Sequence, residues 1–157
     1  MKQLQITPSI CECQIEELNS QEQQLLQQAI EATDRSYAPY SHFRVGAALL
    51  LDNGVVVQGC NQENAAFPAG LCAERTALFA AGARYPDVPP VMIAIAARDT
   101  SGQLTAKPVS PCGTCRQVMI ETETRFRKPL RILLYGSECV YAMDGISQLM
   151  PLSFTEF

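Results

Sequence analysis

The stretch VMIAIAARDTSGQLTAKPVSPCGTCRQVMIETETRFRKPLRILLY, residues 91–135, decides the fold. Its first eight residues are a near-continuous apolar run of strand length, the pattern of a strand covered on both faces and central in its sheet. Residues 113–124 are compatible with a helix, and 130–135 (LRILLY) read as a second covered strand. Covered strand, helix and covered strand in succession predict an α/β arrangement with helices layered on a sheet. Upstream, 72–82 (CAERTALFAAG) is rich in helix formers, and that helix is expected to stop at Gly82 ahead of the breaker cluster YPDVPP at 85–90. Residues 43–51 and 55–60 are short apolar or β-branched runs separated by Asn53-Gly54, which predicts an antiparallel hairpin. Ser20 with Gln23 resembles a capping box for a helix over 21–36, in which Leu25, Leu26, Ala29, Ile30 and Thr33 recur at helical spacing. Downstream, 139–143 predicts a last short strand, Asp144-Gly145 a turn, and 146–150 a short helix before an apolar tail with Phe154 and Phe157.

The chain has 157 residues, 47% of them hydrophobic and 18% charged, which fits one domain spanning 1–157 with a single core. Twelve Lys and Arg against sixteen Asp and Glu leave a net charge of −4, the wrong sign for a protein held to nucleic acid by its field. The N-terminal segment has no apolar core of a secretory signal, and no apolar run approaches membrane-spanning length. A soluble cytoplasmic protein with neither nucleic-acid nor membrane partners is the expectation.

Seven cysteines in such a setting argue against a disulfide scaffold and leave buried thiols, metal ligands or a reactive thiol. Pro111-Cys112-Gly113-Thr114-Cys115 places a C-x-x-C at the predicted start of a helix, where exposed amides favour thiolate. Cys72-Ala73-Glu74 lies at the predicted start of another. Three thiolates would leave a fourth tetrahedral position for water, as a catalytic zinc requires. Cys11, Cys13, Cys60 and Cys139 could still supply a fourth ligand and make the site structural. Glu74 favours the catalytic reading, because a carboxylate beside such a site can take and deliver protons. On a regular helix, however, residues two apart point about 200° apart, so Glu74 faces the metal only if the first turn is irregular.

A metal ligand, one residue, Glu, and then P-C-x-x-C is the template of zinc deaminases. Three segments, YAPYSHFRVGAALL at 37–50, GCNQENAAFPAGLCAERTA at 59–77 and PCGTCRQ at 111–117, closely resemble the small cytidine deaminases of pyrimidine salvage, as does LMPLSF at 149–154 more weakly. The resemblance implies a three-layer α/β/α fold around a mixed five-stranded sheet, an antiparallel hairpin followed by βαβαβ. It also implies a homotetramer with sites at subunit boundaries. One zinc per subunit would be held by Cys72, Cys112 and Cys115, with Glu74 as the proton shuttle in hydrolysis of cytidine and deoxycytidine to the uridine nucleosides and ammonia. Phe43 would stack on the pyrimidine, Asn61 and Glu63 bind the ribose, and the Ala73 backbone hold the base edge. Arg75 would offset the thiolate charge, with Arg116 assisting. Phe67 stands where related sequences often carry Tyr reaching a neighbouring subunit's site, so stacking survives without the hydroxyl. His42 is expected to neighbour the stacking ring without binding metal. Two alternatives are the same zinc chemistry on another small aminopyrimidine such as blasticidin S, and a non-catalytic module with Cys60 or Cys139 as fourth ligand.

Overall fold

The computed structural model describes residues 1–155, so Phe157 lies outside the described residues. Its strands are β1 (Cys11–Cys13), β2 (Arg44–Leu51), β3 (Val56–Cys60), β4 (Pro90–Arg98), β5 (Arg131–Tyr135) and β6 (Val140–Asp144). Its helices are α1 (Ser20–Ala32), α2 (Ala73–Arg84) and α3 (Gly113–Phe126). The strands form one sheet in the order β1-β6-β5-β4-β2-β3. Strands β4 and β5, the two covered runs, lie parallel, and each of the other neighbouring pairs is antiparallel. The expected hairpin is β2–β3.

The sheet has six strands where five were expected. The extra one, β1, pairs Cys11 with Ala142 and Cys13 with Val140 along the edge of β6. A strand of three residues carries no detectable alternation, and its pairing partner is remote in sequence. The capping box also falls one residue earlier than Ser20. The Asn19 side chain accepts from the Glu22 amide at 3.0 Å, and the Glu22 carboxylate accepts from the Asn19 amide at 3.1 Å. Glu22 is additionally held by Arg131 at 3.0 Å, which gives this pair a tertiary anchor. Gly82 does not end α2. A side chain there would meet nothing within 4 Å, so the position is an outer face, and the helix runs on until Tyr85, whose successor Pro86 disfavours helical backbone before it. The segment 146–150 forms only a short 3-10 turn, Ile146–Gln148.

Helices cover both faces of the sheet. On one, Leu25, Leu26 and Ala29 of α1 pack on Ala48, Leu50, Met92, Ala94 and Leu133. On the other, α2 and α3 bring Ala73, Ala77, Leu78, Met119 and Ile120 onto Leu49, Ile93, Ile95, Ile132 and Leu134. Two glycines set how closely the helices approach. A Cβ on Gly46 would lie 2.1 Å from the Ala29 carbonyl of α1, and one on Gly59 would lie 2.5 Å from both Ala73 O and Ala77 N of α2. The start of α2 therefore rests directly on the backbone of β3.

Candidate active site

Strand β2 begins and strand β3 ends beside the starts of α2 and α3, and the intervening loops enclose a cleft of about 500 Å³. One wall is built by side chains that act as backbone. The Asn61 amide, just after β3, donates to Phe43 O at 2.9 Å and accepts from Val45 N at 2.8 Å, extending the start of β2 by one rung. The Glu63 carboxylate accepts the amides of Tyr40 and Ser41 at 2.9 and 3.2 Å and the Ser41 hydroxyl. The Ser41 hydroxyl oxygen in turn accepts the Phe43 amide at 3.0 Å. The hydroxyl and the amides hold the Glu63 carboxyl below its usual range. His42 takes a left-handed φ of 56° inside this turn, with its amide bonded to Ala38 O, and so delivers Phe43 into the cleft.

The opposite wall consists of two helix N-termini. Cys72 caps α2 and Cys112 caps α3, both in extended backbone and neither making the side-chain bond to the helix amides that Ser, Thr, Asp or Asn would make there. Their sulfurs are free to converge instead. Cys72 Sγ lies 3.9 Å from Cys112 Sγ, which lies 3.5 Å from Cys115 Sγ, and all three sulfurs fall within 4.8 Å of one another. Zinc at about 2.3 Å from each sulfur of a tetrahedron requires sulfurs about 3.8 Å apart, so the arrangement fits that ion, and thiolate donors suit its chemistry. Among the described residues none of Cys11, Cys13, Cys60 and Cys139 joins this cluster. Three thiols are one short of the four ligands that a closed structural zinc would need, and two of them, Cys72 and Cys112, line the cleft.

The electrostatics follow from the convergence. Cys72 is lowered to about 5 by the hydrogen bond from the Cys115 thiol and by Arg75, whose Nη2 lies 3.8 Å from Cys72 Sγ. Cys115 is raised by that same bond and by its burial. Of these two thiols Cys72 is therefore the one favoured as thiolate. Arg75 is pushed up by the bond to Cys72, in keeping with a cation placed against thiolates.

Glu74 is 4% exposed and lines the cleft with Cys72 and Cys112. Its carboxyl is raised chiefly by burial and further by the Cys72 charge. Because Cys72 is an extended capping residue rather than part of the helix, the 200° relation of a regular helix does not apply between the two. Of the other residues singled out from the sequence, Phe43, Asn61, Glu63, Phe67 and Arg75 all line the cleft. Ala73 is fully buried as the first residue of α2, and Cys115 is buried beneath the floor. Arg116 does not join them. Its guanidinium bonds to backbone carbonyls, described below, rather than to a thiol. Sequence reasoning gave no role to Ser41 or to Ser110, which also line the cleft. Their nearness to Phe43 and to the P-C-x-x-C was the available signal.

Residues 19–127 match the family model described as the cytidine and deoxycytidylate deaminase zinc-binding region. A cytidine deaminase of Halalkalibacterium halodurans is 48% identical over 133 residues, covering 85% of this chain and 93% of that relative. One from Mycobacterium tuberculosis is 41% identical over 97 residues, covering 59% and 65% of the two chains. Among solved structures, the cytidine deaminase of Burkholderia pseudomallei superposes with a TM-score of 0.72 at 38% identity, covering 87% of this chain and 100% of that one. That of Mycobacterium tuberculosis gives a TM-score of 0.63 at 33% identity, covering 85% and 96%.

Proposed function

The chain belongs to the cytidine and deoxycytidylate deaminase family and is a zinc-binding cytidine deaminase; from that premise we propose which of its residues bind the nucleoside and move the protons. Cys72, Cys112 and Cys115 hold the metal, one ion per chain. Zinc, when bound, acidifies a water to a pKa of about 7 and so makes a nucleophile available at neutral pH. Phe43 stacks on the pyrimidine and Phe67 closes over it from the cleft mouth, while Asn61 and Glu63 meet the ribose with the hydrogen-bonding capacity their backbone partners leave. The Ala73 backbone meets the base edge. Glu74 takes the proton released by the attacking water, gives it to N3, and carries the next to the departing amine, so that ammonia rather than an amide anion leaves. The observation that carries this reading is the burial of Glu74 beside the three converging sulfurs, where its raised carboxyl can both accept and return a proton.

The cleft also favours a nucleoside over a nucleotide. Among the described residues Arg75 is the one Lys or Arg lining it, and it is committed to Cys72, while the ionised Glu63 sits at the ribose end. A phosphate brought there meets like charge, which disfavours it. Absorbance assays are therefore expected to show turnover of cytidine and deoxycytidine, with deoxycytidylate turned over at lower kcat/KM. Inactivity on both nucleosides, or activity on blasticidin S alone, would refute the assignment.

Residues 1–157 act as one domain, and the enzyme is a cytoplasmic homotetramer with its sites at subunit boundaries. Phe67 at 80% exposure and Phe79 at 51% support the assembly, since large aromatics left in water are more at home in an interface. No helix among the described residues is long and apolar enough to cross a membrane. Light scattering should give about four times the 17.2 kDa chain mass, and a monomer of full activity would exclude the assembly.

A further inference from the structure

We propose that Arg116 is a positioning residue: it ties the segment that follows β6 to the loop entering α3, and thereby fixes the Cys112–Cys115 side of the metal centre. It follows Cys115 on the first turn of α3. Its Nε donates to Pro111 O at 2.8 Å and its Nη1 to Leu149 O at 2.7 Å, so one planar guanidinium spans two carbonyls from distant parts of the chain. Pro111 is buried and immediately precedes Cys112, and its carbonyl direction sets the peptide from which that ligand departs. Cys112 is itself exposed and has no capping bond to hold it, so the orientation of its sulfur depends on the backbone that Arg116 grips.

Two more side chains of α3 hold the same segment farther along. Gln117 donates to Phe154 O at 2.8 Å, and the Glu123 carboxylate accepts the amides of Leu130 and Ile146 at 2.8 and 2.9 Å. The chain from 146 to 154 is thus strapped along α3, and Arg116 is where the strap reaches the ligand loop. Outer partners that orient metal ligands typically contribute 10- to 100-fold in metal affinity. A simple countercharge would only need to be positive and near sulfur. A positioning fork needs two donors in one plane, which lysine lacks.

This inference rests on the assignment of Cys72, Cys112 and Cys115 as the zinc ligands. Zinc release from the loaded enzyme to a chromophoric chelator, followed alongside thermal melting and cytidine kinetics, tests it. Arg116→Lys, the milder change, and Arg116→Gln should both release zinc at least about tenfold faster than wild type. Glu123→Ala, which removes the acceptor of both amides and so cuts the strap at its far end, should lower the melting temperature yet leave release within about twofold of wild type on the same reasoning. Zinc retention by Arg116→Lys equal to wild type would overturn the proposal in favour of charge alone. Release by Glu123→Ala as fast as by the Arg116 variants would overturn it in favour of general loosening. A wild-type chain that binds no zinc would overturn the ligand assignment itself, a result distinguishable from zinc held equally by wild type and variants.

Discussion

Glu74→Gln is expected to fold, to hold its zinc and to lose turnover by about 10² to 10⁴, the range typical of a general acid-base group. Glutamine has nearly the same shape, so the buried site beside Cys72 and Cys112 keeps its packing. It also removes a carboxyl whose ionised form is disfavoured there, so the melting temperature should hold or rise. What it cannot do is accept a proton from water and return it to N3. Metal analysis, melting and kcat on cytidine together decide the matter. Intact zinc with wild-type kcat would remove Glu74 from the mechanism, and loss of zinc would make it a determinant of the metal site instead.

The second large effect is expected at Gly59, which has no side chain to take part in the chemistry. A methyl group there would lie 2.5 Å from Ala73 O and Ala77 N, both rigid helix backbone, and 3.0 Å from the Ala77 side chain. The clash is relieved only by lifting the first turn of α2, which carries Cys72, Glu74 and Arg75 together. Overpacking of this kind costs about 1 to 3 kcal/mol, and a displacement of about 1 Å at a reacting group costs about 10² in rate. Gly59→Ala should therefore lower both the melting temperature and kcat. Gly82→Ala, on the outer face of the same helix where nothing lies within 4 Å, should change neither for the worse. Equal behaviour of the two variants would show that the α2–β3 contact does not position the site.

The sequence spoke clearly where one residue type has one physical reading. The apolar runs at 91–98 and 130–135 became adjacent parallel strands, and the Asn53-Gly54 turn became a hairpin, because burial and turn geometry leave few alternatives. The three cysteines were legible as a set because thiols at two helix starts have little other use. The facing of Glu74 was not, since it depends on Cys72 adopting extended capping backbone, a dihedral that no spacing reveals. Nor was the orientation of Arg116. Adjacent to a zinc ligand it read as a countercharge, and only the tertiary course of 146–154 brings Leu149 O within its reach. Asn61 and Glu63 show a different limit. Each lines the cleft while also bonding the 40–45 segment, so a polar residue at a strand end can hold a loop and face a ligand at once.

The edge strand β1 has a consequence for timing. Its partner Ala142 is 131 positions beyond Cys11 (142 minus 11), so β1 can pair only after β6 has been synthesised. During synthesis the outer edge of β6 cannot be occupied before β6 itself emerges, and residues 11–13 must wait, unpaired, through every earlier step. Closing so long a loop is slow and comes late. Once paired, β1 becomes the edge of the sheet in place of β6, and its three residues offer another chain a shorter edge than the five of β6 would.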